Sequence, residues 1–226
     1  QQVNVTQLQY AAVGSAAGAA SGATQAQQAT VSQVQEAAQG GAYGALTQSQ
    51  SASVTQIQAA AFGAAGGGAA AAGDQDAKKV QEAALGAATG ALVQTQDVTV
   101  VQIQAAARGA CEGALTASQD VSVTQIQVAA TDAAATTIRQ SQTLSVTQIQ
   151  VTATETASES VTQLRSLDAS VSNRTLTVEN PNDVAVVVTV TGEDETTLTV
   201  PALATRTATL PPGDYTAEAT SGGQTV

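Results

Sequence analysis

An apolar residue returns every 23 positions along most of this chain, at Val34, Ile57, Val80, Ile103, Ile126 and Ile149, with Leu8 preceding the first by 26. It sits in the phrase Ser-Val-Thr-Gln-Ile-Gln or a close variant, is followed by a run of Ala, and gives way to polar segments such as Gln48-Ser-Gln50 and Gln94-Thr-Gln96. A unit this short cannot bury its own apolar face, so a fixed period of this kind predicts stacked supersecondary units. In five units a Ser or Thr stands three residues before a Gln: Thr30 and Gln33, Ser53 and Gln56, Thr99 and Gln102, Ser122 and Gln125, Ser145 and Gln148. That spacing is a capping box and marks a helix start. The residue before each cap (Ala29, Ala52, Val98, Val121 or Leu144) faces the apolar anchor across the first turn, the spacing of a hydrophobic staple. The remaining unit begins at Asp76, a good helix cap, and continues through Lys78, Lys79 and Glu82, which suit helices better than buried strands.

Glycines follow at fixed offsets: Gly40 and Gly44, Gly63 and Gly67, Gly86 and Gly90, Gly109 and Gly113, with Gly14, Gly18 and Gly22 in the first unit. Spaced by four, they share one helix face and clear it of side chains, so that another backbone can approach closely. The expected structural residues are therefore the anchors Ile57, Val80, Ile103, Ile126 and Ile149 and the close-contact glycines Gly86, Gly90, Gly109 and Gly113. One helix of about 16 to 18 residues per unit leaves only a short connection, which predicts successive helices running antiparallel as neighbours. The last helix extends through Val161, Leu164 and Leu167 and closes the array.

After about residue 170 the period changes to two: Leu176 and Val178, then Val184 to Val190 at alternate positions, then Leu198 and Val200. Turn residues separate the runs at Asn180-Pro-Asn-Asp183, Gly192 to Glu195, Pro211 to Asp214 and Ser221 to Gly223, predicting strands near 174–179, 184–191, 196–200, 203–210 and 215–220 with a stub at 224–226. The expected fold is thus mainly α: an antiparallel helical repeat array over residues 1–168, then a small antiparallel β-sandwich over 169–226. The alternative for the repeats is a β-solenoid or an α/β solenoid, since Val3 to Gln7 and Ser145 to Thr152 also alternate.

Composition narrows the function. The 226 residues carry 7 Lys and Arg against 18 Asp and Glu, a net charge of −11 that repels nucleic acid. One Phe, three Tyr and no Trp leave the core to Ala, Val, Ile, Leu and Thr. Gln interrupts the uncharged residues 1–35 every few positions, so no membrane span is expected. The single cysteine, Cys111, rules out a disulfide within the chain and is read as a small buried residue; a bridge between two chains is the other arithmetic option. The chain begins at Gln1 without Met, as a processed secreted protein would, and Asn4 and Asn173 open Asn-x-Thr sequons that an extracellular protein would glycosylate.

Three resemblances bear on this reading. The acidity, the scarcity of Lys and the abundance of Asp, Thr and Val look like proteins of halophilic archaea, in composition alone. Val178-Glu-Asn-Pro-Asn-Asp183 and Leu210-Pro-Pro-Gly-Asp-Tyr-Thr216 resemble the immunoglobulin-like modules attached to many prokaryotic surface proteins. The repeat spacing and its Ser, Val, Thr and Gln content are faintly similar to curli-type fibre proteins, although the Gly-x-Gly-Asn turn of that family is missing. An immunoglobulin-type sandwich usually needs about seven strands. With fewer strands, either the native chain continues past Val226 or the sheet has an open edge, to which the uncharged segment Gln1 to Gln9 is a candidate strand; the alternative is a closed, modest domain with a frayed end.

Catalytic chemistry is not expected. There is no His, Cys111 has no base to pair with, and neither a Gly-x-Ser-x-Gly elbow nor a phosphate-binding Gly-rich loop occurs. The tight acidic groups, Asp74-Gln-Asp76 and Glu193-Asp-Glu195, lack the ligand ladder of a calcium loop and read as solvated charge; no metal, cofactor or catalytic residue is expected. The expected function is an extracellular structural protein, a self-assembling homo-oligomeric subunit of a cell-surface filament, sheath or fibre. The alternative is an adhesin or virus-like fibre whose repeats are a spacer presenting the β module to a surface ligand.

Overall fold

The computed structural model describes residues 3–26, 29–171, 174–191, 195–210, 216–221 and 224–225. Among them are seven α-helices: α1 (Val5–Gln25), α2 (Val31–Thr47), α3 (Val54–Ala70), α4 (Ala77–Ala91), α5 (Val100–Thr116), α6 (Val123–Gln140) and α7 (Val146–Val171). A small antiparallel sheet region follows, with β1 (Arg174–Asn180), β2 (Val186–Thr191), β3 (Glu195–Val200), β4 (Ala204–Leu210), β5 (Thr216–Ser221) and the two-residue β6 (Gln224–Thr225). The chain divides into two compact units, Gln1–Arg165 and Ser166–Val226.

The helices start where the hydroxyl-to-Gln spacing places them. Thr30, Ser53, Thr99, Ser122 and Ser145 each receive the backbone N–H of the Gln three residues on, and the Gln Oε1 accepts from the cap's own N–H. Asn4 and Gln7 form the same box at α1, and Asp76 caps α4 by accepting from Lys78 N–H. Both strand alternatives for the repeats fall here, because Val5 to Gln7 and Val146 to Thr152 lie within α1 and α7. Strand donation by Gln1 to Gln9 falls with them: Val5 to Gln9 are helical, while Gln1 and Gln2 lie outside the described residues.

Helix order in space differs from simple neighbour-to-neighbour stacking. The closest packing joins helices two apart in sequence: α1 with α3, α2 with α4, α3 with α5, α4 with α6. These pairs are parallel, because contacts climb both helices together: Gly14, Gly18 and Gly22 meet Gln58, Phe62 and Gly66 in turn. Successive helices run in opposite directions and alternate between two layers, so the shorter-range partner of each helix is the next but one. The physical reason lies in the glycines: a cleared stripe admits a backbone, and only the equivalent helix one full two-helix turn onward presents its carbonyls in register. The core is correspondingly rich in Ala, and its large buried members include the anchors Ile57, Val80, Ile103, Ile126 and Ile149 together with Leu92, Leu115, Ile138 and Val161.

In the second unit β1 pairs with β4, and β3, β2, β5 and β6 form the other sheet in that order, all antiparallel. Val186, Val188 and Val190 of β2 and Val200 of β3 pack in one buried cluster with Leu210 of β4, and Leu176 and Val178 of β1 lean on it. Residues of both sheets therefore share one core. Asn180 fixes the turn after β1: its buried side-chain amide donates to the carbonyls of Val184, Val200 and Pro201 at 2.8, 3.1 and 3.0 Å, and its Oδ1 accepts from Asn182 N–H.

Candidate functional site

The residues that do the most in this molecule are those of the inter-helix seams, and each seam is built from two parts. The first is glycine against carbonyl. A β-carbon added at Gly86 would overlap the carbonyl oxygen of Gln127, at Gly90 that of Thr131, at Gly109 that of Gln150, and at Gly113 that of Thr154. Gly40, Gly44, Gly63 and Gly67 meet Gln81, Leu85, Gln104 and Arg108 in the same way. Backbones this close suit weak Cα–H···O contacts, each worth ~0.5–1 kcal/mol, a gain of the same size as the cost of placing Gly in a helix.

The second part is the capping Gln. Its Oε1 is used locally, which leaves its amide NH2 to donate elsewhere, and it reaches the connection that follows the next helix. Gln7 donates to Ser49 O at 2.7 Å, Gln56 to Thr95 O at 3.0 Å and Gln102 to Ser141 O at 2.9 Å. Gln33 donates to Gly73 O and Gln75 O at 3.0 and 2.7 Å. In α4, Lys79 stands where the other helices have Gln, and its Nζ donates to Ser118 O at 2.8 Å. One side chain thus starts its own helix and ties down the end of the next, satisfying carbonyls that a helix terminus leaves without partners.

Other residues singled out in the sequence fall as follows. Cys111 is fully buried on α5 beside Gly68, and burial pushes its thiol far above the ordinary range, which removes it from nucleophilic and redox chemistry. Asp76 is a helix cap and Asp74 is exposed in the preceding turn. Of the second acidic group only Glu195 is described, at the start of β3; Glu193 and Asp194 lie outside the described residues. No group of three metal-ligating side chains occurs among the described residues. Asn4 is exposed, and its side-chain oxygen holds the α1 cap, a role its sequon hid. Asn173 lies outside the described residues. Lys78 and Glu82 pair at 2.9 Å one turn apart, and the hydrogen bond to Glu82 raises the Lys78 ammonium above its usual value.

No helix is long and apolar enough to cross a membrane among the described residues. Surface depressions of the array are open grooves lined by helix faces, such as Thr55, Gln58, Ala59, Phe62, Val100 and Gln104 between α3 and α5, and a smaller one in the β unit lies beside Asn180 and Val188; among the described residues none gathers a converging set of titratable groups. No protein-family model, no curated protein and no solved structure matches this chain.

Proposed function

We propose that this is an extracellular structural protein, a self-assembling subunit of a cell-surface filament, sheath or fibre. The observation that supports it best is the repeated seam. Glycine stripe and facing carbonyl row recur from α1 to α5, and the dual-purpose Gln recurs in α1, α2, α3 and α5 with Lys79 making the long-range tie in α4, so the distinctive residues of the repeat are spent on rigid construction. Rigidity without a converging polar pocket suits a scaffold better than a catalyst. The acidic surface, with a net charge of −11, suits a protein kept apart from its copies until salt screens it. Negative-stain electron microscopy of the purified protein in high and low salt tests this: ordered filaments support the subunit role, and dispersed particles under both conditions defeat it.

A second reading, a spacer that presents the β unit to a surface ligand, is favoured by one specific feature. Where α2 to α5 carry glycines, α6 carries Asp132 and Thr136 and α7 carries Glu155 and Glu159, so the seam is not continued past α7. A spacer of this kind would stay dispersed, and its binding to cells would be lost in Asn180→Ala, which unpicks the β unit.

A further inference from the structure

In an array of stacked repeats each unit touches only its near neighbours, so a helix can open locally without disturbing those further along. One side chain of this molecule breaks that rule. Arg108, on α5, donates through Nε to Glu112 Oε1 one turn along the same helix at 2.7 Å, and through Nη2 to the side-chain oxygen of Gln25, the last residue of α1. Glu112 accepts with its other oxygen from the side-chain amide of Gln150 on α7 at 3.3 Å. One ion pair thus joins the first, fifth and seventh helices. The backbones of α1 and α5 are not close partners, because α3 lies between them and packs on each.

Two features make this reach possible. Where Gly22 of α1 meets the carbonyl of Gly66, and Gly67 meets that of Arg108, α3 consists of Gly66, Gly67 and Gly68, which put no side chain of their own between the two partners. The guanidinium is a rigid planar fork with donors on several edges, so it serves Glu112 and Gln25 at once. Both charged side chains are only 24% exposed, a setting in which salt screens a pair less than on the open surface. The residue is also singular among the repeats. At the same offset from the anchor the other helices carry Val13, Gln39, Phe62, Leu85, Thr131 and Thr154, all uncharged, so the repeat itself does not call for a cation here.

We propose that Arg108 is a strap: it couples the closing turn of α1 to α5 and, through Glu112, to α7, so that this end of the first helix opens only when the interior of the array lets it go. The strap goes beyond the scaffold role and stands whether or not copies assemble, because it lies within one chain. Hydrogen exchange of the full chain, resolved along each helix, reads it. In Gln25→Ala, which leaves the ion pair intact, the amides of the last two turns of α1 should exchange about tenfold faster than in the wild type, the loss of one hydrogen bond to a charged group. Those of α4, in the other layer, should keep their wild-type rates. Arg108→Met should release the same turns of α1 and loosen the start of α7 as well. Gln25→Glu is the sharper probe, since a carboxylate at a helix C-terminus meets the negative end of the helix dipole and by itself speeds exchange there. Facing Arg108 it should instead slow exchange by about threefold, and adding Arg108→Met to the same chain should turn the slowing into acceleration. Exchange in α1 indifferent to Gln25→Ala, or faster in Gln25→Glu with Arg108 present, would overturn the proposal. So would an equal acceleration of every helix in Gln25→Ala, which is the mark of general destabilisation.

Discussion

The helical array and the β unit solve one problem, a core almost without aromatic residues, by opposite means. The array removes side chains: glycine stripes let parallel helices touch backbone to backbone, and Ala fills the rest, so Gly90 against Thr131 is as much a core contact as Ile103 is. The β unit keeps branched side chains and relies on their interdigitation, with Val186, Val188, Val190 and Val200 closing on Leu210. The two differ in tolerance. A core of backbone contacts has no soft partner to yield, whereas a core of side chains can repack.

The largest expected effect tests that contrast at its sharpest point. Gly90→Leu places carbon where the Thr131 carbonyl and the Ala134 methyl already are, and should cost about 3 kcal/mol or more, enough to unfold much of the array. Gly66→Ala is the control. Its nearest neighbour is Gly18 O at 3.3 Å, so a small adjustment admits the methyl, and the helical gain of Ala over Gly, ~1 kcal/mol, offsets the crowding. Thermal unfolding followed by circular dichroism should show a large loss for the first and a change within about 1 kcal/mol for the second. Equal losses would mean that helical propensity, and not the seam, sets the stability.

In the β unit the comparable weak point is polar. Asn180→Ala strands the carbonyls of Val184, Val200 and Pro201 around the turn after β1, at a cost of about 2–3 kcal/mol. Denaturant titration of the strand signal measures it. A conservative core change such as Val188→Ile should cost less than about 1.5 kcal/mol if the side-chain core repacks.

Helix starts, strands and the glycine face were legible because each rests on local rules: a hydroxyl three residues before Gln, a period of two, a period of four. The pairing of α1 with α3 was not, since it depends on which carbonyl row lies in register with Gly14, Gly18 and Gly22, and register is a property of two segments far apart. Asn4 was read as a sequon when it also caps α1, and only its Gln7 partner could have revealed it. The second task of the capping Gln was hidden for a different reason. A capping box is equally well closed by Glu, so the uniform choice of Gln at positions 7, 33, 56, 102, 125 and 148 was the one clue that an amide donor was required.

That choice gives the next prediction. Gln56→Glu keeps the oxygen that accepts from Ser53 N–H but sets a carboxylate oxygen against Thr95 O, and should destabilise the array by about 1–2 kcal/mol at neutral pH. The deficit should shrink in acid, where the carboxyl carries a proton to donate. Comparing the melting of variant and wild type between neutral and acid pH checks this, and a deficit independent of pH would mean that the amide donor is dispensable.

The smallest effect is expected where the chain has already made a substitution of its own. Lys79 supplies the long-range donor to Ser118 O but cannot close a capping box, and Asp76 accordingly caps α4 through Lys78 N–H alone. Gln in its place would accept from Asp76 N–H and still reach Ser118, joining the two tasks as in the other helices. Lys79→Gln should therefore leave stability unchanged or raise it by about 0.5 kcal/mol, and Lys79→Met, which has the length without the donor, should lower it by ~1 kcal/mol. A chain in which Gln and Met behave alike at position 79 would show that helix initiation and the tie across to the next connection are separable, and that the seams depend on glycine alone.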